Sequence, residues 1–152
     1  MLEIDKDVID RSAGETRSGV ADPLPLEMAL ACEKAGVVKA SRDTIGLIVL
    51  GTLAGAFIAL GAVFLTVVMT GAEGMPWGSA RLLGGLVFSL GLILVIVGGA
   101  ELFTGDALMV MAYASQRISL GSLLRAWALV YVGNIIGAIG TAALVFLAAH
   151  YQ

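Results

Sequence analysis

The sequence predicts an all-α membrane protein with three transmembrane helices, the second of them broken partway across. Three observations carry this. Of the 152 residues, 59% are hydrophobic and only 14% charged, more apolar surface than a soluble domain of this size can bury. The charges are also segregated. Nine of the twelve acids and six of the nine bases lie in residues 1–43, leaving Glu73, Glu101, Asp106, Arg81, Arg117 and Arg125 for the other 109. Finally, the 35 residues between Arg81 and Arg117 hold two charges, both inside Gly98-Gly99-Ala100-Glu101-Leu102-Phe103-Thr104-Gly105-Asp106. A bilayer core of about 30 Å takes roughly 20 helical residues, whereas an unbroken helix through this stretch would reach about 52 Å. The surplus length, the paired glycines and the two carboxylates predict an interruption. At that depth it is tolerated only against protein or a wet cavity.

Taken in order, residues 1–24 are expected to be a disordered cytoplasmic tail, because the first 21 show no sustained apolar period. The opening 20 residues have no apolar h-region, so no cleaved signal peptide is expected and the first span must direct insertion. Pro23 and Pro25 suit a helix start and Gly36 its end, predicting an amphipathic helix over 25–36. It is too short and too charged to span, and should lie along the membrane surface or under the bundle. The first span is predicted over 44–69, inside a charge-free window of 44–72. Its Gly51 and Gly55 form a GxxxG pattern that lets helix backbones approach closely in lipid. A turn through Gly74-Met75-Pro76-Trp77-Gly78 follows, with Trp77 as an interfacial anchor. The second span is predicted as halves at 80–98 and 106–116 around a loop at 99–105, and the third span over 123–149. Tyr113 and Tyr151 read as interfacial, and Arg81 is expected to pair with Glu73. Five bases (Lys34, Lys39, Arg42, Arg117 and Arg125) flank one side of the spans against Arg81 on the other. That asymmetry puts the N-terminus in the cytoplasm and the C-terminus outside.

Several classes of chemistry are disfavoured. A lone Cys32 allows no intrachain disulfide, and without a Cys/His cluster no metal or other cofactor is expected. No nucleophile–base pair or nucleotide loop suggests an enzyme, and no clustered Lys and Arg suggests a nucleic-acid partner. The remaining candidates sit in the spans. Phe88 and Leu92, four apart, share a helix face, and on the residues alone lipid-facing or interhelical packing explains them better than a pathway does. Glu101 is an ionisable group at membrane depth, functional by default. A structural role, accepting hydrogen bonds from freed loop amides, is favoured over proton transfer. Asp106 is expected to cap the second half-helix, and Thr104 could cap it too. Asn134, an amide inside the third span, either bonds a neighbouring helix or lines a path.

Several segments resemble the formate/nitrite transporter family: Gly99-Ala100-Glu101-Leu102-Phe103-Thr104-Gly105, Phe88-Ser89-Leu90-Gly91-Leu92-Ile93-Leu94, Gly74-Met75-Pro76-Trp77-Gly78, Tyr131-Val132-Gly133-Asn134-Ile135-Ile136-Gly137 and Glu33-Lys34-Ala35-Gly36-Val37-Val38-Lys39-Ala40. In the expected order they cover about residues 25–150. The resemblance implies half of an aquaporin-like inverted-repeat fold, with the second span broken by an Ω-loop. In whole family members two such repeats enclose one pore per protomer, and five protomers form a ring. Phe88 and Leu92 would then line pore constrictions, with Leu102 and Phe103 as the plug of the gating loop. Gly99 and Glu101 would shape that loop, and Thr104 would offer its hydroxyl to the path. Asn134 would lie close to the pore or the broken helix.

The function implied is transport of small monovalent weak-acid anions, formate or nitrite, across the cell membrane. The family continues for about as long again and places its pore histidine in that second half. His150 does not match that position, so the chain is expected to be a partial protein that forms no complete pore alone. The alternative is a non-transporting membrane subunit that associates through its GxxxG faces. It leaves the interruption from Glu101 to Asp106 unexplained.

Overall fold

The computed structural model describes residues 25–148. The expected tail at 1–24, together with His150 and Tyr151, lies outside the described residues. Helix α1 spans Pro25–Ala40, with Glu27 in its first turn and Lys39 in its last, each suited to the helix dipole there. It runs past Gly36, the expected stop. That glycine serves packing instead: a Cβ there would lie 3.0 Å from the Ala112 Cβ and 3.3 Å from the Met109 Cα. Asp43 then caps α2, Thr44–Met69, by accepting from the Gly46 N–H. A left-handed Gly71 and a short 3-10 turn, Ala72–Gly74, lead into α3, Trp77–Val97.

The second span is broken. Gly99 adopts φ 62°, a left-handed conformation that suits glycine because it lacks Cβ. Gly99 N–H bonds to Ile96 O, and Ala100 N–H reaches back to Val95 O at 3.0 Å. These two bonds form a Schellman stop. After an extended Leu102, helical geometry resumes in two pieces, α4 (Phe103–Asp106) and α5 (Met109–Ala114). The single second half expected over 106–116 is therefore two short helices, the first beginning inside the segment expected as loop. Gln116, at φ 58°, turns the chain. Ser119 caps α6, Leu120–Leu147, through the Ser122 N–H.

Helices α2, α3 and α6 are long and apolar enough to cross a membrane. Helix α2 lies between the other two, against glycine seams on both sides. Gly51 meets Val130 and Gly133, and Gly55 meets Asn134, so that α6 lies close along α2. Higher up, the Gly61 and Gly91 backbones touch across α2 and α3. The GxxxG face of α2 is thus occupied inside the chain. A buried core of Leu47, Met109, Leu123, Ala126 and Val130 sits below the break, where Phe103 and Trp127 pack on it. Arg81 lies over the Trp77 ring at 5.7 Å. Among the described residues no ion pair joins it to Glu73, because the aromatic face is the partner one turn away.

Candidate functional site: a clasped break in the second span

Unwinding a helix frees backbone groups, and in an apolar setting each must find a partner. Here three of them are served from outside the loop. The Glu101 N–H donates to Leu50 O at 3.2 Å. The Phe103 N–H donates to Asn134 Oδ1 at 3.0 Å. Asn134 Nδ2 in turn donates to Gly51 O at 2.9 Å and to Glu101 O at 3.0 Å. A single amide of α6 therefore ties α2 to both ends of the extended segment. The tight Gly55–Asn134 approach makes this reach possible.

The two carboxylates do other work than expected. Glu101 is buried and does not accept from loop amides. Its Oε2 accepts from Lys39 Nζ, and its Oε1 stands 3.5 Å from Arg42 Nη1. Asp106 caps nothing: it closes α4 from a fully buried position. Its Oδ1 accepts from the same Lys39 Nζ at 2.5 Å, and its carbonyl accepts from Trp127 Nε1 at 2.9 Å. The second oxygen, Oδ2, has no hydrogen-bond partner among the described residues. Burial alone would lower the Lys39 pKa. The hydrogen bonds that it donates to Asp106 and then Glu101 outweigh it and hold the ammonium above the ordinary lysine value. One cation on α1 thus holds both ends of the break. Two arginines further fix α1 and its turn: Arg117 Nη1 donates to Glu33 Oε1 at 2.9 Å, and Arg125 donates to Thr44 Oγ1 and Arg42 O.

Beside the clasp opens a recess of about 390 Å³, lined among others by Lys39, Arg42, Leu92, Gly99, Leu102 and Thr104. It brings together five of the residues singled out from sequence: Leu92, Gly99, Glu101, Leu102 and Thr104. Thr104 is exposed, and the cap position before α4 belongs to Leu102, which has no side-chain oxygen to offer. Phe103 points away from the recess into α6, edge-on to Trp127 at 5.9 Å and to Tyr131 at 5.5 Å. Phe88 sits a turn above Leu92, half-buried, its carbonyl against Gly61. A larger groove of about 670 Å³ between α2 and α6 is lined by Ala62, Val63, Thr66, Thr141 and Val145 among others and holds no charged side chain.

Lys39, Arg42 and Trp127 were not identified from sequence as site residues. The signal was available: two acids at membrane depth require cations, and the unassigned bases nearest a span are those just before α2.

A model of the formate/nitrite transporter family matches residues 26–152. The formate channel FocA of Escherichia coli K12 is 45% identical over 129 residues, covering 85% of this chain and 45% of its own. A probable formate transporter of Methanothermobacter thermautotrophicus is 38% identical over 118 residues, 76% of this chain and 43% of its own. Among solved structures, a chain described as an FNT family ion channel superimposes with a TM-score of 0.68 at 25% identity, over 80% of this chain and 49% of that one. The chain spans about half the length of these relatives.

Proposed function

Because the chain belongs to the formate/nitrite transporter family, we propose that it supplies one wall of a membrane pathway for small monovalent weak-acid anions, formate first. The observation that carries this reading is the break itself. Extended backbone lies at the depth of a span, held by side chains of α1 and α6 and by a backbone carbonyl of α2, beside a recess lined by two cations. A mere packing subunit has no use for such a device, and its GxxxG face is already covered by α6.

Leu92 and Leu102 form an apolar narrowing, with Phe88 on the same face of α3 above them. Such narrowings stop ions by dewetting, so a hydrated anion must shed water or pass as the neutral acid. Thr104 offers a hydroxyl beside the narrowing. Glu101 and Gly99 shape the loop, and Phe103 anchors it through the α6 aromatics. A second three-helix segment supplies the opposite wall, and the whole assembles as a pentamer in the cell membrane. Lys39, Arg42, Arg117 and Arg125 gather at one end of the bundle, and the positive-inside rule assigns that end, with the N-terminus, to the cytoplasm.

The test is formate flux into liposomes. The 152-residue chain alone is expected to add nothing to the protein-free leak, and joining it to the second half of a family member is expected to raise flux at least about tenfold. A joined protein that assembles yet leaves formate at the leak rate overturns the reading.

A further inference from the structure

The two cations that line the recess are not equivalent. Lys39 donates to both Glu101 and Asp106 and its side chain is 25% exposed. Releasing either carboxylate to take an incoming anion would leave a buried charge unpaired, which is strongly unfavourable. Lys39 is therefore committed to the loop. Arg42 is differently placed. Its backbone is fixed, with the N–H bonded to Lys39 O and the carbonyl accepting from Arg125. Its side chain is 36% exposed, and the acceptor its guanidinium faces, Glu101 Oε1, stands 3.5 Å away. Charge-assisted hydrogen bonds close to about 2.7–2.9 Å, so the five N–H donors of this group are not taken up by Glu101. Arg42 lines a recess that the exposed Thr104 and the side-chain-free Gly99 line as well.

We infer that Arg42 is the residue that receives the anion at the basic mouth of the pathway, gripping a planar oxyanion through its forked N–H groups while Lys39 holds the loop. The inference rests on the transport reading above and adds a residue and a selectivity to it. A guanidinium fork matches two oxygens at once, as formate and nitrite present them, whereas a spherical chloride can use only its charge. Glu101, Asp106, Lys39 and Arg42 sum to zero formal charge, so the site attracts anions without trapping them. Conduction needs that balance.

The experiment is a formate titration of the full 152-residue chain in lipid nanodiscs, followed by saturation-transfer NMR on ¹³C-formate. Nitrite and chloride are the competitors, and circular dichroism checks the helix content of each variant. Saturable binding is expected, displaced by nitrite well before chloride. R42Q is expected to weaken it at least about tenfold, equal to about 1.4 kcal/mol. R42K, which keeps the charge and loses the fork, is expected to bind formate and chloride alike. Absence of saturable binding in the parent chain, R42Q binding as the parent does, or R42K retaining the preference for planar anions each overturns the inference. Flux in the joined protein separates the two readings. Flux that is present but indifferent to R42Q removes Arg42 alone, whereas Arg42-dependent binding without flux leaves the anion site standing and removes transport.

Discussion

Lys39 is the residue whose loss should be felt most. It is the shared partner of two carboxylates that are 3% and 0% exposed, and removing one member of such a group leaves uncompensated charge in a poorly solvated site, at a cost of about 3–5 kcal/mol. Lys39→Met should accordingly lower the thermal unfolding midpoint of the nanodisc-embedded chain, with helix content followed by circular dichroism. Adding Glu101→Gln and Asp106→Asn to that variant removes the orphaned charges and should recover most of the loss. If the triple variant is as unstable as the single one, the clasp is not electrostatic. The pH dependence has a definite sign. The folded pKa of Lys39 lies above its ordinary value of 10.5, so its contribution is complete below that value and disappears only as pH rises through the higher folded value. The parent chain should lose this contribution above pH 10.5, and Lys39→Met should show no such loss. These roles were only half legible in the sequence. That Glu101 needed a partner could be read from its setting. Which partner could not, since 62 positions separate it from Lys39 and only the fold of α1 under the break brings them together.

At the scale of elements, close helix approach sets how tightly the break is held. A Cβ on Gly137 would meet Thr52 O at 1.9 Å and Ala56 N at 2.7 Å, both backbone atoms of α2 that cannot move aside, whereas one on Gly140 would meet nothing within 4 Å. Gly137→Ala should thus destabilise the α2–α6 pair by about 1–3 kcal/mol. Gly140→Ala, a turn away, should be neutral or gain a few tenths of a kcal/mol from better helix propensity. Unfolding midpoints of the two variants in nanodiscs check this, and equal midpoints would show that the seam tolerates separation. The three spans were legible because windows free of charge between acidic or basic residues are a strong membrane signal. Gly36 misled because a glycine near the end of an amphipathic stretch reads as a stop, and only α5 packed against it shows that it is there for contact. The split of the second half-helix into α4 and α5 was not legible either, since no glycine or proline marks the turn at Ala107-Leu108.

At the scale of the whole molecule, the adjacent residues Leu102 and Phe103 face different ways. Leu102 lines the recess, and Phe103 is wedged against Trp127 and Tyr131. In the sequence they read as one plug, because two neighbouring apolar residues in a loop carry no sign of which way each turns. The proposed pathway gives them separable roles, which the joined protein can test. Leu102→Ala should widen the narrowing directly, raising flux of formate and of the bulkier acetate with little change in the unfolding midpoint. Phe103→Ala should also make the pathway leakier, through a loop no longer anchored to α6. It should lower the midpoint as well, because an edge-on aromatic pair contributes about 0.5–1.5 kcal/mol beyond its buried area and Phe103 has two. Acetate and formate flux measured beside thermal unfolding distinguishes these outcomes. A Phe103→Ala variant that loses stability without leaking would confine Phe103 to packing, and a Leu102→Ala variant with parental acetate flux would move the narrowing away from the recess.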